Sequence, residues 1–150
     1  MPRIDRALLA AAALFAASPS EACNVSTTAV AFGTYDTLSP ANDDGTGTLN
    51  ADCALSVRSI TVSISAGSSG SIAARTLRNG PTILNYNLYT DASRTIIWGD
   101  GVTGSTVTLT PTNSAGGRRR YDSPIYGRIP ALQAVGVGTY VDTVILTVTF

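Results

Sequence analysis

The stretch Thr139-Tyr140-Val141-Asp142-Thr143-Val144-Ile145-Leu146-Thr147-Val148-Thr149-Phe150 decides the fold. In an extended chain Tyr140, Val144, Leu146, Val148 and Phe150 fall on one side. Thr143, Thr147 and Thr149 fall on the other, with Val141 and Ile145 among them. That period of two is the mark of a half-buried β-strand. No turn and no further strand follow it in the sequence. A strand with a core-facing side needs neighbours at both edges, or its backbone groups and its sheet edge stay open. The pattern therefore predicts a fold that another chain completes.

Residues 1–22 read as a secretory signal peptide. Arg3 and Arg6 form a basic start, residues 7–17 an apolar run too short to cross a bilayer, and Ser20-Glu21-Ala22 a small-residue cleavage signal. Cleavage before Cys23 leaves residues 23–150, a length typical of one domain. A lipoprotein signal would make Cys23 the first mature residue too, but Ser20 stands where such a signal wants a Leu-like residue. Nothing after residue 22 is apolar for the roughly 18 residues that a spanning helix requires.

Two cysteines, Cys23 and Cys53, remain in this exported domain, and one disulfide is their simplest fate. In the chain-entropy model, closing that loop contributes roughly 3.5 kcal/mol. The domain has neither His nor Lys. Its cations are Arg58, Arg75, Arg78, Arg94, Arg118, Arg119, Arg120 and Arg128. Its anions are Asp36, Asp43, Asp44, Asp52, Asp91, Asp100, Asp122 and Asp142. The two sets balance, which is not the footprint of a nucleic-acid binder.

The rest of the domain predicts about seven short strands and no helix, with turn formers at short spacing. Val25–Tyr35 reads as the first strand, with Gly33 as a bulge or close-approach point. Ser39–Gly47 reads as a loop and Thr48–Cys53 as a short strand. Ile60, Val62 and Ile64 alternate with Thr61, Ser63 and Ser65. Segments 72–77, 83–90, 95–98, 107–110 and 125–129 follow as further short strands, and 113–117 as a loop. No fixed repeat appears, so a sandwich is expected rather than a propeller or solenoid.

The composition excludes much chemistry. Without His there is no Ser-His-Asp or Cys-His arrangement, and without Lys no Schiff base. A zinc site lacks its usual ligands. Paired Asp residues are the remaining acid–base option, yet these Asp residues mostly sit beside turn formers. No enzyme, cofactor, metal or small-molecule substrate is expected. Asn42-Asp43-Asp44-Gly45 does not match a calcium loop and reads as an Asx-type turn. Trp98-Gly99-Asp100-Gly101 reads as a strand end that packs its Trp, followed by a turn. Arg118-Arg119-Arg120 reads as a solvated loop. Arg75 and Arg128, inside apolar runs, are expected to lay their stems on the sheet or pair with Asp.

An ordered set of short motifs runs through the domain. Cys23 is followed by Ala31-Phe32-Gly33-Thr34-Tyr35, then Cys53, Ala66-Gly67 and Arg75-Thr76-Leu77. After these come Leu84-Asn85-Tyr86-Asn87-Leu88-Tyr89-Thr90-Asp91 and Trp98-Gly99-Asp100-Gly101. Tyr126-Gly127-Arg128-Ile129-Pro130 leads to Gly138-Thr139-Tyr140-Val141-Asp142-Thr143 and Leu146-Thr147-Val148-Thr149-Phe150. The set resembles the spore coat protein U domain of archaic chaperone–usher pilus subunits, over essentially all of residues 23–150.

That resemblance implies an all-β fold, an incomplete immunoglobulin-like β-sandwich lacking its final strand and completed by donor-strand complementation. It implies a periplasmic chaperone, an outer-membrane usher and other pilus subunits as partners. The path would run through the periplasm to a cell-surface pilus or secreted coat, serving surface attachment and biofilm formation. The donor-strand groove would be bordered by Val25–Phe32 and Tyr140–Phe150, with Val25, Phe32, Tyr140, Val144, Leu146, Val148 and Phe150 lining it. The carboxylate of Phe150 would anchor the chaperone, and a Cys23–Cys53 bridge would tie the first strand to the second. Only a short polar stretch, 18–22, could precede Cys23 as a donor segment, so the expectation is a subunit that accepts a strand and terminates a fibre. The alternative is a self-contained secreted coat or adhesive binding module.

Overall fold

The computed structural model describes residues 22–150; the leader signals at 1–21 lie outside the described residues. Nine strands follow in order: β1 (Cys23–Ala31), β2 (Asp43–Ala54), β3 (Ile60–Ile64), β4 (Arg75–Asn79), β5 (Thr82–Tyr89), β6 (Val107–Leu109), β7 (Asn113–Ala115), β8 (Arg118–Ile129) and β9 (Leu146–Thr149). They form two antiparallel sheets. One runs β1-β2-β8-β5-β4, with β7 also on β8, and the other runs β6-β3-β9. A single 3₁₀ turn, Gly67–Ser69, connects β3 towards β4.

Alternation places the core. On β2 the even-spaced Leu49, Ala51 and Cys53 are fully buried, and β3 buries Ile60, Val62 and Ile64 against them. From β5 come Leu84, Tyr86 and Leu88, and from β8 Tyr121, Ile125 and Ile129. Residues paired across an antiparallel ladder share a face, so these sets make one layer between the sheets. Trp98 is fully buried in it, and its indole N–H is satisfied by the Val62 carbonyl at 3.0 Å.

Arg75 departs from its expected roles. Its side chain is fully buried and meets no carboxylate directly. Instead Nε donates to the Ser65 carbonyl at 2.9 Å, while the two terminal nitrogens reach Asn87 Oδ1 at 2.7 Å and the carbonyls of Ile64 (3.1 Å) and Trp98 (2.9 Å). The planar fork suits several fixed acceptors at once. One side chain of β4 thereby ties the end of β3, in the other sheet, to β5 and to the Trp98 segment. Arg128 does pair as expected, bidentate to Asp44 at 2.7 and 2.8 Å.

Several boundaries differ from expectation, each for a long-range reason. β2 begins at Asp43, not Thr48, because it pairs with β8 along its whole length, from Asp43 against Ile129 to Ala54 against Arg118. The Asn42–Gly45 stretch is therefore strand start rather than turn, with Asp44 held by Arg128. The same pairing draws Arg118–Arg120 into β8. There Arg118 donates to the Asp52 carbonyl and Arg119 to that of Val57 (2.8 Å), so this is not a free basic loop. Residues 113–115 pair with 118–120 through a two-residue turn in which Gly116 and Gly117 both have positive φ (59° and 75°), as a type I′ hairpin requires. Segment 95–98 makes only isolated bridges, Ile97 to Tyr89 and Trp98 to Ser105. The 140–150 segment is not one continuous strand. Val141 bridges Arg78 on β4, and only Leu146–Thr149 pairs with β3, so the segment passes from one sheet to the other.

β1 ends at Ala31, short of Tyr35, and its irregularity lies between Thr28 and Ala31 rather than at Gly33. There the side chains of Val30 and Phe32 come down over three glycines. A Cβ on Gly47 would lie 2.6 Å from the Thr28 carbonyl oxygen. One on Gly45 would lie 2.7 Å from that of Ala31, and one on Gly127 would meet both Val30 and Phe32 at 2.6 Å. Since the obstacle at Gly47 is backbone, Gly47→Ala is expected to lower stability by about 1–3 kcal/mol, read as a lower urea midpoint at unchanged slope. Ala at the open, exposed Gly136 leaves the midpoint within about 0.5 kcal/mol of the parent.

Candidate functional site: a furrow between two unpaired strand edges

β1 pairs with β2 on one side, and β9 pairs with β3 on one side. Among the described residues neither has a partner on its other edge. The cross-strand register shows what this does to burial. Val25 lies opposite Ala51 and Thr27 opposite Leu49, so all four share the inward face. Ala51 and Leu49 are wholly buried, whereas Val25 is 39% exposed and Thr27 is exposed as well. On β9, Leu146 lies opposite the buried Ile64 and Val148 opposite the buried Val62, yet both are only half-buried. Inward-facing residues on both margins thus lack the layer that should cover them. The fold is an incomplete immunoglobulin-like sandwich.

Between those margins runs a furrow of about 280 Å³. Thr27, Thr28, Ala29, Val30 and Phe32 form one bank, and Asp142, Thr143, Val144 and Leu146 the other. Ile64, Leu77, Tyr86, Leu88 and Ile125 form its floor. A larger hollow, about 540 Å³, lies on the outer side of β3 and β9 around Ser63, Asp100 and Thr147. It has no pair of facing strand edges, and the Asp100 carboxylate there is occupied by the N–H groups of Val102 and Thr103. The furrow is the better site because only it joins apolar side chains to unpaired backbone.

Of the residues expected to line a groove, the structure brings Phe32, Val144 and Leu146 together in the furrow. The others stand apart from it. Val25 faces inward before the furrow begins, and Val148 lies beside Val62 of β3, beyond it. Tyr140 packs on the core with its hydroxyl on the Gly136 carbonyl (2.9 Å), and Phe150 is 64% exposed. Val30 and the floor residues were not expected there. Val30 and Phe32 share a face: in a regular strand both would point away from Val25, and the irregularity after Thr28 turns them inward. The alternation of Leu84, Tyr86 and Leu88 marked them as one face but carried no information on what that face meets.

A disulfide joins Cys23 to Cys53 at directly opposed positions of β1 and β2, fastening the start of the exposed β1 to a buried strand. At the opposite end, Phe32 meets the Tyr86 ring edge-on at 6.0 Å, and the Tyr86 hydroxyl donates to Asp142 Oδ2 at 2.7 Å. The Ser68 N–H donates to Asp142 Oδ1 at 2.8 Å. The two banks are thus linked across the floor at that end. Burial pushes the Asp142 carboxyl up, but the bonds from Ser68 and Tyr86 outweigh it and leave it below the ordinary carboxylate range. Burial, then the bond to Asp142, drives the Tyr86 phenol far above its usual value. The Arg128 hydrogen bond holds the Asp44 carboxyl low as well.

The features define a class: an all-β, two-sheet domain with an uncovered apolar furrow. A family model described as the Spore Coat Protein U domain matches residues 8–147. The chain belongs to that family. It is similar to Protein U of Myxococcus xanthus, with 35% identity covering 96% of this chain and 95% of the relative. In three dimensions it is similar to a chain in the crystal structure of the CsuC–CsuE chaperone–tip adhesion subunit pre-assembly complex, from the archaic chaperone–usher Csu pili of Acinetobacter baumannii. The TM-score there is 0.56 at 24% identity over 85% of this chain. The match spans 39% of that chain, and it speaks to the fold.

The depressed carboxyls give stability a direction with pH. Such groups stabilise the fold above their unfolded values, near 4, and the contribution is lost as pH falls through the folded ones. Denaturation midpoints are expected to drop as pH falls below about 4, with a shallower drop for Asp142→Asn.

Proposed function

We propose that this chain is an exported subunit of a chaperone–usher pilus, and that the furrow between β1 and β9 is where a strand from another polypeptide completes it. One observation carries the reading: inward-facing Val25, Val144 and Leu146 stay uncovered beside two strand edges without partners. An added strand supplies both deficits at once. Its backbone pairs with the free edges, and its alternate side chains cover the furrow. Fully covering a Val or Leu side chain contributes about 1.5–3 kcal/mol, so several half-covered residues make a substantial driving force.

In this reading residues 1–22 direct export, and a periplasmic chaperone first lends the strand. At an outer-membrane usher, another pilus subunit replaces it, and the subunit reaches the cell surface. Phe150, 64% exposed beyond β9, is the chaperone's anchor. The likeness to a complex containing a tip adhesion subunit supports the finer placement at a fibre tip, with attachment and biofilm formation as its task. The furrow is a binding surface for polypeptide, not an active site.

Purifying residues 23–150 with and without the chaperone tests this. Alone, the chain is expected to unfold at low denaturant and to associate into oligomers through its open edges. With chaperone it forms a soluble one-to-one complex with a raised midpoint. Leu146→Arg places an unpaired charge in the covered furrow and is expected to weaken capture by about a hundredfold or more. A lone chain that stays monomeric, resists protease and gains nothing from the chaperone overturns the proposal in favour of a self-contained coat module.

A further inference from the structure

The furrow is apolar along most of its length, but one carboxylate stands in it. Asp142 is half-buried in the β9 bank and is the one acidic residue among those lining the furrow. The Tyr86 hydroxyl and the Ser68 N–H hold its oxygens, the Ser68 hydroxyl and the Thr143 N–H act on it more weakly, and among the described residues no salt bridge engages it. Arg75, which feels the charge of Asp142, spends its guanidinium on Ser65, Ile64, Trp98 and Asn87. A carboxylate offers about four acceptor positions. A strand that seals the furrow removes water from whichever of them remain open, and a buried acceptor left without a donor is costly.

We propose that Asp142 sets the register and the sequence of the strand that fills the furrow: an alternating apolar segment of another polypeptide that carries one hydrogen-bond-donating side chain, such as Ser, Asn or Arg, opposite Asp142. This rests on the strand-accepting reading above. The Phe32–Tyr86–Asp142 link marks the end of the furrow at which that donor residue sits. A uniformly apolar strand covers the same area yet strands the carboxylate, so it binds less tightly and slides among registers.

Synthetic 12-residue peptides provide the test. One set has Val and Thr in strict alternation, and its members replace a single inward-facing Val by Ser, or by Arg, at each alternate position in turn. Binding to the protein is read by fluorescence anisotropy and by the rise in melting temperature. One position is expected to bind at least about tenfold more tightly than the unmodified peptide. Two variants separate a reading role from a merely structural one. Asp142→Val abolishes the positional preference and favours the unmodified peptide. Tyr86→Phe, which keeps the ring but withdraws a donor from Asp142, sharpens the preference. A structural role would shift both variants the same way and leave the peptide ranking unchanged. Equal binding of all peptides overturns this inference and leaves the strand-accepting function standing. Failure of every peptide to bind overturns both.

Discussion

The two sheets are clamped at one margin and part at the other, and the rest of the molecule follows from that. The clamp is Arg75, a buried guanidinium whose hydrogen bonds run from β4 to Ile64 and Ser65 at the end of β3, to Asn87 on β5 and to Trp98. Burial lowers the Arg75 pKa, opposed by Tyr86, Asp142 and Asp100 nearby. The charged form persists because several acceptors converge on it and each gains from a low-dielectric setting. No comparable tie joins β1 to β9. Their margins face each other across apolar side chains and are linked at one end through Phe32, Tyr86 and Asp142.

That asymmetry explains why the ordinary ledger of a small β-domain is left short here. β2, β3, β5 and β8 bury their alternate residues as a sandwich should. β1 and β9 do not: inward-facing Val25 is 39% exposed, and Leu146 and Val148 are only half-buried. Two devices hold β1 in place despite its exposure. The disulfide fastens its beginning, and the seat of Gly45, Gly47 and Gly127 receives Val30 and Phe32 near its end. β1 is therefore kept as a rigid bank of the furrow rather than lost as a fraying terminus. A preformed bank lowers the ordering cost that any incoming strand must offset.

Much of the architecture was legible in the residues. The period of two in 140–150, in Ile60-Val62-Ile64 and in Leu84-Tyr86-Leu88 identified strands and their buried faces. Balanced Arg and Asp, with no His or Lys, removed most catalytic chemistry. Boundaries were less legible where pairing partner overrode local composition. Turn-forming Asp43–Gly47 became strand because β8 runs alongside it, and Arg118–Arg120 became strand for the same reason. Of the furrow, Phe32, Val144 and Leu146 could be named from periodicity and resemblance. Val30 was not named, and the irregularity after Thr28, set by pairing with β2, is what puts it on the inward face.

What the sequence determined by itself was the β class, the inward faces of β3 and β5 and the cysteine pair available for a disulfide. Those depend on local periodicity and on residue chemistry, which the chain carries without reference to its fold. The tertiary structure alone decided which strands lie side by side, that Arg75 would be satisfied by carbonyls rather than by a carboxylate, and that β1 and β9 would border one furrow. Edge and centre are properties of a sheet rather than of a strand. Whether an apolar face is covered depends on what lies across from it, often a hundred residues away.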